Sequence, residues 1–150
     1  IKQKLKIKEG KKTFTIFSNV LGDTAVIGRD IGFNGMLDWV YTTIDWFIER
    51  QKTHQLIIRI HPSEYVLSFI WKKGLLNYIF DKYKNLPSNI IIIKPEDKIY
   101  SYTLAHLSDA VSVYTTTLGY ELVETEGIKS WLVADFHYRN HGFTVDINSK

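Results

Sequence analysis

Gln55-Leu56-Ile57-Ile58-Arg59-Ile60-His61-Pro62 is a short apolar strand that ends abruptly on a polar pair. Four more β-branched or aromatic runs punctuate the sequence, at Thr13–Phe17, Asn89–Ile93, Ala110–Tyr114 and Ser130–Ala134. The connections between the five runs are 15 to 37 residues long. That is too long for hairpins and the right size for right-handed crossovers between parallel strands. The reading is an α/β fold, a parallel sheet of about five strands with helices on both faces.

The connections carry helical patterns. Leu37, Val40, Ile44, Phe47 and Ile48 recur at three-to-four spacing, with Asn34 as the expected cap and Asp38 in the first turn. Leu75, Leu76, Ile79, Phe80 and Tyr83 repeat between Gly74 and Pro87 and predict a second helix over Leu75–Tyr83. Ser63 to Lys73 fits no single pattern, and Trp71 within it suits core or surface equally. Shorter helices are expected at Ser101–Leu107 and Gly119–Glu126, the latter stopped by Gly127. Asp135–Thr144 has no period and reads as a polar and aromatic loop.

At 150 residues and 45% hydrophobic content the chain has material for one core. The net charge of +3 is unevenly placed, because six lysines against Glu9 give residues 1–12 a net +5 and leave −2 for the rest. Residues 1–12 are therefore read as a basic leader or linker, with Leu5 and Ile7 allowing an edge strand, and residues 13–150 as the domain. A tail of this kind argues against a nucleic-acid surface. With no cysteine there is no disulfide framework, thiolate metal site or Cys nucleophile. No run approaches the ~18 apolar residues of a membrane span, so a soluble, cytoplasmic protein is expected. The start at Ile1 suggests an excised fragment.

In a sheet of this type ligands bind where strand C-termini open into loops, so the residues just after each run hold the information. Ser18 and Asn19 follow the first, and His61, Pro62 and Glu64 the second. Lys94, Glu96 and Asp97 follow the third. Thr115, Thr116, Thr117 and Gly119 join the fourth run to a helix and place hydroxyls and unpaired N–H groups at a helix N-terminus, an anion site. An ordinary hydroxyl cap accounts for one of the threonines but not three. His61 would face the same crevice, where an imidazole can bind phosphate and stabilise a departing nucleotide. Arg59 either supports it or forms a buried ion pair with Glu64. Glu121 lies in the first helical turn, as a ligand contact or as a carboxylate complementing the helix dipole. Asp135, His137 and His141 have a spacing a metal could use, yet read better with Tyr138 and Arg139 as a loop closing over the strand ends. No Gly-x-Gly-x-x-Gly follows a strand and no P-loop is present, so NAD, FAD and ATP lose support.

Taken in order, several segments resemble the capsule polysaccharide biosynthesis family of bacterial glycosyltransferases. They are Phe17-Ser18-Asn19-Val20 with Asp23-Thr24-Ala25, Arg59-Ile60-His61-Pro62-Ser63-Glu64, Ser101-Tyr102 with Asp109-Ala110, Val113 through Glu121, and His137-Tyr138-Arg139 with Gly142-Phe143-Thr144. The resemblance implies a GT-B type enzyme of two Rossmann-like domains, of which this is the C-terminal, nucleotide-sugar-binding half. It places His61 and Thr115–Thr117 on the donor phosphate, leaves Glu64, Glu121, His137, Tyr138 and Arg139 for nucleotide or sugar, and requires no cofactor or metal for donor binding. A glycan or glycolipid acceptor would be held by the other domain, with peripheral association of the whole enzyme at the inner face of the plasma membrane. Two departures are Trp71–Gly74 with the apolar residues around it, where a more polar connection is expected, and Asn140-His141 where the family usually has a small residue and a lysine. A nucleotide-sugar epimerase of similar architecture and a non-catalytic flavodoxin-like interaction domain are the competing readings.

Overall fold

The structure is a computed structural model that describes residues 2–71 and 73–149, without the side chains of residues 68–71. The open question of Trp71 falls on an undescribed side chain. The elements run β1 (Lys12–Phe17), α1 (Met36–Glu49), β2 (His54–Arg59), α2 (Glu64–Trp71), α3 (Leu75–Lys82), β3 (Ile90–Ile93), α4 (Ser101–His106), β4 (Ala110–Val113), α5 (Leu118–Glu126), β5 (Trp131–Leu132) and β6 (Val145–Asp146). All strands pair in parallel in the order β3-β2-β1-β4-β5-β6. The chain steps outward from β1 to β3, then crosses back to β4 on the other side of β1. The topological switch point is therefore the gap between β1 and β4.

Strand alternation divides the core in two. Ile16, Leu56, Ile58, Ile60 and Tyr114 pack with α1 and α3 through Trp39, Ile44, Leu75 and Ile79. Phe17, Ile57, Ile93, Val111 and Val113 pack on the opposite face against Leu104 of α4 and Leu122 of α5. This is the layering of a parallel sheet buried on both faces.

Among the described residues the sheet has six strands, one beyond the five runs read from the sequence. β6 adds only two residues, paired Trp131↔Val145 and Leu132↔Asp146, too few to show a period in the sequence. Asn34 does not cap α1. Gly35 precedes the helix at φ 93°, and the carboxylate of Asp38 reaches back to accept the Asn34 backbone N–H at 2.8 Å. Asp38 thus ties the approach of the chain to the first turn and complements the helix dipole there, without capping the N–H groups of the helix itself. Gly127 ends α5 at φ 67°, with its N–H returning to the Val123 carbonyl at 3.3 Å and the Ile128 N–H to the Leu122 carbonyl at 3.0 Å, an αL termination that the left-handed residue makes possible. In the leader, Leu5 is buried in the second cluster, and Lys8 exchanges two hydrogen bonds with the Gln55 side chain (2.9 and 3.0 Å). This segment makes turns, not an edge strand.

Candidate functional site

The β1 ladders end at Phe17↔Arg59 on one side and Phe17↔Val113 on the other. The next two residues carry both connections further with their side chains. Ser18 Oγ donates to the Arg59 carbonyl at 3.3 Å and accepts the His61 N–H at 3.1 Å. Asn19 Oδ1 accepts the Thr115 N–H at 3.1 Å while its Nδ2 donates to the Thr115 carbonyl. Both residues are buried. The start of the His61 loop and the threonine turn thus flank the end of β1, two strand spacings or about 10 Å apart. The sequence marks Ser18 and Asn19 by their place after a strand and in the first of the resembling segments; their bonding role comes from the fold.

His61 is half-buried, and its Nδ1 accepts the Ser63 N–H at 3.2 Å. A ring nitrogen that accepts carries no proton, so the neutral imidazole has its N–H at Nε2. Burial, and then the nearby Arg59 charge, push the His61 pKa below its ordinary 6.5, against a smaller opposing effect of Asp23. His61 is thus a neutral donor at pH 7 rather than an imidazolium.

Arg59 and Glu64 do not pair. Arg59 is 5% exposed and donates from Nη1 to the Lys94 carbonyl and from Nη2 to the Asp97 carbonyl at 3.2 Å, holding the loop after β3. Its Nε has no partner. Glu64 instead accepts the Leu21 N–H at 3.1 Å and the Leu75 N–H at 2.8 Å, which caps α3 and ties it to the loop after β1. Backbone donors at a helix start and a loop outcompeted the guanidinium, and they leave Glu64 facing inward rather than toward a ligand. Burial raises the Glu64 pKa, an effect the two backbone bonds partly offset. Glu64→Ala strands two N–H groups, so a loss of roughly 2–4 kcal/mol is expected. Urea denaturation checks this, and a loss under about 1 kcal/mol would remove the capping role.

At the threonine turn, Thr115 is 2% exposed and its Oγ1 has no hydrogen-bond partner. Among the described residues the N–H groups of Thr116 and Thr117 also carry no hydrogen bond. Thr116 Oγ1 accepts the Leu118 N–H at 3.4 Å, and Thr117 Oγ1 donates to Glu121 at 2.6 Å. The second oxygen of Glu121 takes the Tyr102 hydroxyl at 2.9 Å. Glu121 is therefore a tie between α4 and α5, with both oxygens engaged inside the protein. Gly119 is buried, and its N–H goes to the Thr116 carbonyl at 3.3 Å. A Cβ there would lie 2.3 Å from the Tyr138 hydroxyl, so its lack of a side chain serves packing rather than an open phosphate cradle.

The loop after β5 divides in the same way. Tyr138 is buried and donates to the Thr116 carbonyl at 2.6 Å; burial keeps its hydroxyl protonated. Arg139 is buried and gives four hydrogen bonds, to the carbonyls of Leu132, Ala134 and Ile147 and to Asn148 Oδ1, clasping β5 to the segment after β6. His137 alone of the three stays exposed, its ring against Phe136. It borders a cavity of about 350 Å³ with Arg29, Asp135 and Asn140. Arg29, 3.7 Å from Asp135, joins this cavity from the loop after β1, where nothing in the sequence singles it out. Asp135, His137 and His141 are not drawn into a common cluster among the described residues. A larger cavity, about 610 Å³, lies toward the strand N-termini and is lined chiefly by Phe14, Trp39, Trp46, Phe47 and Trp131. Its walls are mostly apolar, with Lys12, His54, Thr42 and Thr43 among the polar residues that border it.

No protein-family model and no curated protein matches this sequence. Solved structures do match its fold. KpsC of Thermosulfurimonas dismutans, described as a β-Kdo 2,4 transferase, superposes with a TM-score of 0.63 at 15% identity over 95% of this chain and 40% of that one. KpsC of the same organism, described as a β-Kdo 2,7 transferase, gives 0.60 at 17% identity with the same two coverages. The chain thus spans about 40% of the length of the structures it matches. The expected relation to capsule transferases holds at the level of the fold. No described helix is long and apolar enough to cross a membrane.

Proposed function

We propose that this domain binds the phosphate of a nucleotide-activated sugar across the ends of β2, β1 and β4, and serves glycosyl transfer to a surface glycan or glycolipid. The observation that carries the reading is the Thr115 hydroxyl, buried without a partner where α5 begins and beside two N–H groups that also lack one. Buried polar groups in folded proteins are nearly always paired. That buried hydroxyl, with two accessible N–H groups at the positive end of a helix, suits a phosphate oxygen.

His61 supplies a neutral Nε2–H from the other side of β1. As the glycosidic bond breaks, the nucleotide leaves with additional negative charge, and preorganised donors aimed at that charge stabilise the transition state more than the ground state. Arg59, a buried cation with no carboxylate oxygen within 4 Å among the described residues, adds a favourable field without touching the phosphate. The fold likeness to proteins described as Kdo transferases supports the reaction class. The acceptor falls to polypeptide outside this domain.

Thr115→Val tests the reading because packing and ligand binding move in opposite directions. Exchanging an unpaired buried hydroxyl for a methyl leaves stability unchanged or raises it by up to about 1 kcal/mol. Removing a hydrogen bond to a charged phosphate weakens nucleotide binding by about 10- to 100-fold. Thermal shifts with CMP, UDP, GDP and dTDP, without and then with magnesium, identify the nucleotide and report both quantities. A stabilised variant that binds as tightly as the parent would remove Thr115 from the site. A parent that binds none of the four would remove the function.

A further inference from the structure

We infer that Asn19 is a positioning residue for this phosphate site, an inference that rests on the reading just given. The β1–β4 ladder ends with Phe17↔Val113, two residues short of the turn. Past that point the Asn19 amide acts as a surrogate peptide, with its oxygen accepting the N–H of Thr115 and its nitrogen donating to the carbonyl of the same residue. Both bonds are buried and join positions 96 residues apart in sequence. Gripping one residue at both its N–H and its C=O fixes the peptide units on either side of it. The conformation of Thr115, with its unpaired hydroxyl, and the course of the chain into the free N–H groups of Thr116 and Thr117 are therefore set from β1.

Only a primary amide does this, because it presents one acceptor and one donor in the spacing of a peptide group. A carboxylate of the same shape still accepts from the Thr115 N–H but turns an oxygen toward the carbonyl. The neighbouring residue makes the matching contact on the other side, where Ser18 Oγ accepts the His61 N–H. Consecutive residues just beyond the central strand thus locate the two halves of the site.

The test is direct binding of CMP, UDP, GDP and dTDP to the intact chain, for the parent and Asn19→Asp, each alone and combined with Thr115→Val or His61→Ala, with melting midpoints recorded alongside. Well below its midpoint, Asn19→Asp should bind about tenfold more weakly than the parent, the size of effect expected when a charge-assisted hydrogen bond is misplaced. Combined with His61→Ala, the tenfold loss should persist. Combined with Thr115→Val it should shrink to less than about threefold, because the hydroxyl being positioned is gone and the two changes no longer act independently. A purely structural Asn19 lowers the midpoint and leaves the dissociation constant of the folded protein unchanged; that result overturns the inference, as does full additivity with Thr115→Val. If Asn19→Asp does not fold, Asn19→Ser, which cannot grip both groups, is read in the same way. Parent protein that binds none of CMP, UDP, GDP and dTDP overturns this inference and the function together, whereas binding by the parent with unaltered variants overturns this inference alone.

Discussion

His61→Ala in the intact enzyme is expected to lower turnover by about 10²- to 10³-fold, the usual cost of removing one preorganised donor from a developing oxyanion. The geometry makes the donor specific. Ser63 N–H occupies Nδ1, so Nε2–H is the group left for the phosphate, and Pro62 fixes the backbone that carries the ring. The pH dependence follows from the depressed pKa. The unfolded chain binds a proton to this ring near its ordinary 6.5 and the folded protein only at lower pH, so over that interval the unfolded state holds more protons. The stability contributed by a neutral His61 is complete above 6.5 and is lost as pH falls toward the folded value. Turnover should accordingly show no limb near 6.5 and decline only in more acid solution, where a protonated Nδ1 would oppose the Ser63 N–H. A pH profile of kcat for parent and variant checks both points. Turnover of the alanine variant within about threefold of the parent would remove His61 from the chemistry.

The fold was legible where the sequence spends many residues on one instruction. Five apolar runs and the long intervals between them require parallel strands and crossovers, and the α1 stripe from Leu37 to Ile48 repeats for three turns. What escaped was short or non-local. β6 is two residues long, and α1 follows Gly35 with no side-chain cap, the Asp38 carboxylate holding the Asn34 N–H outside the helix. Two of the expected site positions, His61 and Thr115, follow the ends of the strands on either side of β1, as their place after an apolar run requires. Their neighbours were harder. Arg59, Glu64, Glu121 and Arg139 are polar residues near strand ends, and position alone cannot tell whether backbone groups or a ligand will take their hydrogen bonds. In each case carbonyls, N–H groups or hydroxyls of the protein took them. Asn19 is the converse case, a residue whose importance depends on a partner 96 positions away.

Gly119→Ala is expected to destabilise the domain while leaving nucleotide affinity almost unchanged, which separates a packing glycine from a phosphate-binding one. The added Cβ would sit 2.3 Å from the Tyr138 hydroxyl, 3.0 Å from a Val113 methyl and 3.1 Å from Ser130 Oγ. Ser130 can turn its hydroxyl away, but Val113 is fixed in β4. Tyr138 is held by burial against Phe136 and by its bond to the Thr116 carbonyl. Relief therefore moves the Tyr138 ring and breaks that bond. Overpacking costs about 1–3 kcal/mol, the lost hydrogen bond adds about 1, and the better helix propensity of alanine returns about 1. The net loss of about 1–3 kcal/mol corresponds to a midpoint lower by roughly 3–10 °C in a domain of this size. Tyr138→Phe removes the atom in the way, so the double variant should be less destabilised than the two single losses added together, a coupling that a double-mutant thermal series measures directly. Binding should stay within about threefold of the parent, because the Gly119 N–H already serves the Thr116 carbonyl and offers a ligand no free donor. A Gly119→Ala protein as stable as its parent but unable to bind nucleotide would reverse the assignment, returning Gly119 to the phosphate and leaving Tyr138 without the contact that explains its burial.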